Sequence, residues 1–207
     1  MHRPTIDVVL FDLGNVILDF NHFQIGEKLA AFSQKRGGQD PSAIFTHLFD
    51  LRNGLVNLYE TGKISSKKFF DVLKERFQLD ISFEAFALIW NDIFVENRKV
   101  SEIIRSLKEQ KRLGLISNTN PLHFDYALAT FPVVRVFDRW ILSHEVGFKK
   151  PAAEIFQAAL RWASTEPQRI LFIDDIPRHV EVAISLGMQG IHFVSAENLE
   201  KVLVSVF

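Results

Sequence analysis

The chain has no cysteine among its 207 residues. That excludes disulfides, thiolate metal sites and a cysteine nucleophile, and it fits a reducing compartment. No stretch approaches the run of about 18 apolar residues needed to span a bilayer. The opening residues Met1-His2-Arg3-Pro4 carry no apolar segment of leader length. A soluble, cytoplasmic protein with no membrane partner is the expectation. Net charge is −1 and no dense basic run occurs, so no global field draws the chain to nucleic acid or anionic lipid. Internal repeats and low-complexity segments are also absent.

What is present is apolar. Residues of that kind make up 47% of the chain, enough for a sizeable core, and the length allows one domain or a core with a smaller insert. The 20 Phe fit a Phe-rich core as well as a binding surface, so no oligomeric state is read from them.

The stretch Val8-Val9-Leu10-Phe11 runs without polar alternation into Asp12, and Gly14 and Asn15 follow at once. A continuous apolar run reads as a strand buried on both faces, the parallel-sheet pattern. Asp12 then stands at the carboxyl end of that strand, the edge where open α/β sheets bind ligands. From Val100 onward helices and strands alternate. Leu113–Ile116 is a strand ending in Ser117-Asn118, and Asn120 caps the helix that Pro121 opens. Trp140–Leu142 is the next strand, with a helix starting at Pro151. Ile170–Ile173 ends in Asp174-Asp175, a helix closes at Gly187, and Gly190–Val194 is the last strand. Repeated βα units predict an α/β fold, a doubly wound parallel sheet with helices on both faces.

Between about Phe20 and Asn97 the texture is helical throughout. One amphipathic helix carries Leu29 and Phe32 and stops at Gly37-Gly38. Asp40-Pro41 caps and opens a second. Thr61–Ser65 is a turn, with Ser65 capping a helix that bears Phe69, Phe70, Leu73 and Phe77 three and four residues apart. Ser82 begins another, with Phe83, Phe86, Ile89, Trp90 and Phe94 on one face. The expected organisation is a Rossmann-like core from residues 1–18 and 98–207, interrupted by a helical insert at 19–97.

Strand carboxyl ends in a parallel sheet share one edge, so Asp12, Ser117-Asn118 and Asp174-Asp175 should converge there, with Lys150 nearby. Carboxylates brought together repel, and a shared hard cation such as Mg²⁺ resolves that. A nucleophilic carboxylate beside Mg²⁺ and Lys suits attack on phosphorus.

Asp12-Leu13-Gly14-Asn15-Val16, Ser117-Asn118, Gly147-Phe148-Lys149-Lys150-Pro151 and Asp174-Asp175 together resemble the four motifs of the haloacid dehalogenase-like hydrolases. The insert lies where that superfamily carries its small helical cap. The resemblance implies that Asp12 attacks phosphorus to form an aspartyl-phosphate. It further implies that Ser117 hydrogen-bonds a phosphoryl oxygen and that backbone N–H groups near Asn15 and Asn118 assist. Lys150, favoured over Lys149 by its pairing with Pro151, neutralises charge. The same resemblance implies that Mg²⁺ is held by Asp12, the Gly14 carbonyl, Asp174 and, through water, Asp175. The plainer alternatives are a turn cap for Ser117 and a loop brace for Asp175. His179, where the pattern usually has Asn, reads as a solvent-facing helix residue. The remaining His lack metal-ligand spacing, which argues against zinc.

One departure stands out. Phosphatases of the superfamily usually carry a second Asp, the general acid and base, where this chain has Gly14. General acid–base help is worth ~10²–10⁴-fold, so the leaving oxygen must depart readily or find its proton elsewhere. The Gly-Asn-Val version and Tyr59–Ser65 resemble the superfamily's bacterial sugar-1-phosphate phosphatases. Asp19 is a candidate proton source, though a hinge residue is the plainer reading. A small phosphorylated metabolite, with sugar phosphates among the candidates, is thus the expected substrate of a Mg²⁺-dependent phosphatase. The alternatives are a catalytically weak binding protein on the same fold, supported by Gly14, and a 2-haloacid dehalogenase, opposed by the Asp174-Asp175 pair.

Overall fold

A computed structural model describes residues 5–50 and 54–207. Met1-His2-Arg3-Pro4, read above for leader content, lie outside that range, as does the start of the expected core segment 1–18. The strands among the described residues are β1 (Val8–Phe11), β2 (Leu18–Phe20), β3 (Phe94–Glu96), β4 (Arg112–Ser117), β5 (Arg139–Leu142), β6 (Ile170–Asp174) and β7 (Gln189–His192). Five of them form one sheet, in the order β5-β4-β1-β6-β7, with every pairing parallel. This is the α/β architecture expected.

Both faces of that sheet are apolar, which explains the unbroken hydrophobic runs. Val8, Leu10, Ile170 and Phe172 pack against Ile155, Phe156 and Ala159 of the helix Ala153–Ala163. Their neighbours Val9, Phe11, Leu171 and Ile173 face the other way, toward Ile104, Phe124 and Leu199. Those three come from the helices Arg98–Lys108, Pro121–Thr130 and Ala196–Val206. Successive side chains of a strand alternate between faces, so a strand apolar at every position must be covered twice.

The segment between β2 and β3 builds a core of its own from Ile25, Leu48, Tyr59, Phe69, Leu73, Phe86 and Trp90. Its helices are Phe23–Ala30, Pro41–Phe49, Leu55–Glu60, Ser66–Phe77 and Phe83–Asn91. The caps are as expected. Asp40 accepts from the Ser42 N–H, Ser65 from Lys68 and Ser82 from Ala85. Beyond the insert, Asn120 accepts from His123.

Three expectations need correcting. The first helix stops at Ala30, before Gly37-Gly38, because the following residues turn to pair with another segment: Gln34 N–H donates to the Gln78 carbonyl and Ser33 bridges Leu79. Phe94 continues no helix. It belongs to β3, which pairs antiparallel with β2 (Leu18 with Glu96, Phe20 with Phe94) where the chain leaves and rejoins the sheet. A short helix, Ser143–Val146, follows β5 directly, and the helix expected from Pro151 begins at Ala153, since the Ala152 N–H closes a turn onto the Lys149 carbonyl.

Candidate active site

Four strand ends and their loops converge where the apolar runs stop. Asp12 follows β1, whose backbone is fixed between β4 and β6; its N–H donates to the Ile173 carbonyl at 2.9 Å. Asp174 closes β6 and is fully buried. Lys150, 3% exposed, reaches between them: its Nζ lies 2.7 Å from Asp12 Oδ1 and 2.6 Å from Asp174 Oδ2. Asp12 Oδ1 also accepts from the Leu13 N–H at 2.7 Å. The Phe172 ring lies under the ammonium, 5.5 Å from Nζ to centroid.

Oxygens from Asp12, Asp174 and Asp175 lie within 4.8 Å of one another. Three carboxylates around one ammonium leave excess negative charge in a buried place. That charge, with an all-oxygen donor set, fits a hard divalent cation such as Mg²⁺. The carboxyls differ electrostatically. Burial pushes Asp12 up to about 6, with Lys150 opposing the rise and Asp174 and Asp175 adding to it. Burial also lifts Asp175, against a hydrogen bond from Asn15. At Asp174 burial pulls upward too, but hydrogen bonds from His179 and Lys150 outweigh it and hold the carboxyl below its ordinary range.

The other expected residues divide. The Asn15 backbone is left-handed at φ 53°, its N–H is taken by the Leu18 carbonyl at 2.8 Å, and its Nδ2 donates to Asp175 Oδ2 at 3.2 Å. Asn118 braces Lys150: Nδ2 donates to the Lys150 carbonyl at 2.9 Å, and Oδ1 accepts its N–H at 2.7 Å. Ser117 is buried at the end of β4. Gly14 faces the ring of Phe20. Lys149 joins none of the three acids. It pairs with Glu60 and donates to Asn57 Oδ1 at 3.0 Å, linking the loop after β5 to the helix Leu55–Glu60. Asp19 is exposed on β2, and strand alternation turns it to the opposite face from Phe20.

His179 overturns the expectation of a solvent-facing residue. It is buried, and its Nδ1 lies 3.0 and 3.1 Å from the two Asp174 oxygens. An ionised carboxylate only accepts, so Nδ1 carries the hydrogen. The cause is local: Pro177 opens the helix Pro177–Ser185, and helical side chains lean toward the N-terminus, here back onto the end of β6. That lean was the clue available in the sequence. The Glu60–Lys149 pair also escaped sequence reasoning, because no spacing links residues so far apart, and so did Phe20, whose place depends on the pairing of β2 with β3.

Comparison with known proteins identifies the family. The sequence model of a hydrolase family described as haloacid dehalogenase-like hydrolase matches residues 6–187. The chain is 26% identical over 189 residues to a D-ribitol-5-phosphate phosphatase of Bacteroides thetaiotaomicron, spanning 87% of this chain and 88% of that one. A phosphorylated carbohydrates phosphatase of Thermotoga maritima is 22% identical, over 91% of this chain and 85% of its own. Among solved structures, a Bacteroides thetaiotaomicron enzyme of this family in complex with magnesium and inorganic phosphate superimposes with TM-score 0.78. It shares 26% identity, over 90% of this chain and 93% of that one.

Proposed function

The chain belongs to the haloacid dehalogenase-like hydrolases, and from that premise we propose a Mg²⁺-dependent phosphatase acting on a small phosphorylated metabolite of carbohydrate type. The observation that carries the reading is the Lys150 ammonium shared between Asp12 at 2.7 Å and Asp174 at 2.6 Å, with Asp175 completing the acidic cluster. Asp12, the Gly14 carbonyl, Asp174 and Asp175 would hold Mg²⁺, which supplies charge neutralisation for the phosphoryl oxygens.

The chain's own residues do the rest. Asp12 attacks phosphorus, the bond to the leaving oxygen breaks, and the electron pair departs with that oxygen. Water then attacks the aspartyl-phosphate, and the pair returns to the Asp12 carboxylate. Lys150 offsets charge on both Asp12 and the phosphoryl group. Ser117 and N–H groups near Asn15 and Asn118 bind phosphoryl oxygens. Asn118 also fixes the Lys150 backbone through its two hydrogen bonds. Residues 19–97 act as a cap over the edge of the core formed by 1–18 and 98–207. The cap excludes water and touches the organic part of the substrate, and the Lys149–Glu60 pair lies across the two parts.

Hydrolysis of a panel of phosphate esters, including sugar and polyol phosphates, with Mg²⁺ and with EDTA tests this. Mg²⁺-dependent phosphate release is expected; none from any ester overturns the reading.

A further inference from the structure

A Cβ added at Gly14 would lie 2.5 Å from Phe20 Cε1, with Cδ1 at 3.3 Å and Cζ at 3.5 Å. The first distance is inside van der Waals contact, so the Phe20 ring occupies the space that any side chain from position 14 must enter. The ring is held there from several directions. Its backbone pairs with Phe94 in the β2–β3 ribbon, and its ring packs at 4.4 Å on His22 and edge-on at 6.4 Å to Phe94. His22 is stacked in turn on Phe49 at 4.5 Å. Swinging the ring away would disturb this column.

We infer that Phe20 is a specificity-determining residue: it fills the place of a second acidic side chain and puts an aromatic wall beside Gly14. The inference rests on the phosphatase reading. Its consequence concerns the bond-breaking step, in which the P–O bond opens and the electron pair stays on the leaving oxygen. With no acid from position 14, that oxygen leaves as an anion and takes its proton from water afterwards. The substrate class this favours is a phosphate ester of a weakly basic oxygen, anomeric or acyl, over a simple alkyl ester. His22 does not replace the missing acid. Burial, and the charge of Lys149, push its ring down to about 4, so it has no imidazolium proton to give near neutrality.

A double-mutant cycle tests the inference with two readouts. In thermal unfolding, Gly14→Ala, which adds the Cβ alone, should lower the midpoint in the wild-type background and much less beside Phe20→Ala. In kinetics on aryl and alkyl phosphates of graded leaving-group basicity, wild-type kcat/KM should fall steeply along the series. Gly14→Asp combined with Phe20→Ala should flatten that slope and gain about 10²-fold on alkyl relative to aryl esters, the lower end of what general acid catalysis supplies. Gly14→Asp alone should not. Additive unfolding effects, or an equal gain from Gly14→Asp alone, overturn the inference while the phosphatase reading stands. A wild-type chain that hydrolyses no ester overturns that reading, and the substrate preference with it.

Discussion

His179 Nδ1 sits 3.0 Å from Oδ1 and 3.1 Å from Oδ2 of Asp174, and Oδ1 accepts in addition from the Ile176 N–H at 2.8 Å. The carboxylate orientation is thus set by the helix that follows it. Asn carries a donor nitrogen in the same position along its side chain as Nδ1, whereas Gln carries one further out. His179→Asn should therefore retain Mg²⁺ affinity, and His179→Ala and His179→Gln should each lose about 10–100-fold, the usual cost of removing a partner of a metal ligand. Calorimetric Mg²⁺ titration decides it; equal affinity for all three variants would contradict the assignment.

Asp12→Asn removes the nucleophile but keeps the shape and the Leu13 N–H partner. Turnover should drop below detection while the circular dichroism and unfolding midpoint stay near wild type. Substantial residual hydrolysis would rule out attack by Asp12.

Lys150→Met leaves Asp12 and Asp174 buried without their shared cation. Metal-free protein should lose about 3 kcal/mol of stability, as when one partner of a buried ion pair is removed. kcat should fall by about 10²–10³-fold, the range for deleting one group that stabilises developing charge. Denaturant titration and steady-state kinetics measure the two effects.

His123 provides a pH dependence of stability. Burial, with His22 beside it, pushes its ring down to about 3, against a hydrogen bond to the Trp90 carbonyl that opposes the fall. The unfolded chain binds this proton below its ordinary value near 6.5, and the folded chain does not. Stability is therefore fully present above that value and declines as pH falls from about 6.5 toward 3, by up to about 1.4 kcal/mol per pH unit from this site. Unfolding at a series of pH values should show a shallower decline in His123→Gln; an unchanged slope would assign the effect to other groups.

The sheet was legible because each central strand is an apolar run ending in a polar residue: Phe11 into Asp12, Ile116 into Ser117, Ile173 into Asp174. Burial on both faces removes ambiguity about which side is polar, and the parallel arrangement then brings those ends together. Asp40, Ser65, Ser82 and Asn120 were legible as caps because their chemistry is local. The ribbon of β2 and β3 was not. Three residues show too little alternation to distinguish a strand, and Phe94, four residues after Trp90, continues a helical spacing. Of the candidate site, the acids and Lys150 were readable from the strand ends, and the contacts around them were not. His179 against Asp174 depends on the direction of a helix, Phe20 against Gly14 on the pairing of β2 with the distant β3, and Lys149 against Glu60 on how two separate cores pack.

The β2–β3 ribbon brings the two ends of the helical segment to a single rung, Leu18 opposite Glu96. A long excursion whose ends already touch imposes no stretch or twist on the sheet it leaves. The length and sequence of its middle are therefore free to drift while the acidic cluster keeps its geometry, and a foreign helical segment spliced between Phe20 and Phe94 should meet the same acidic cluster.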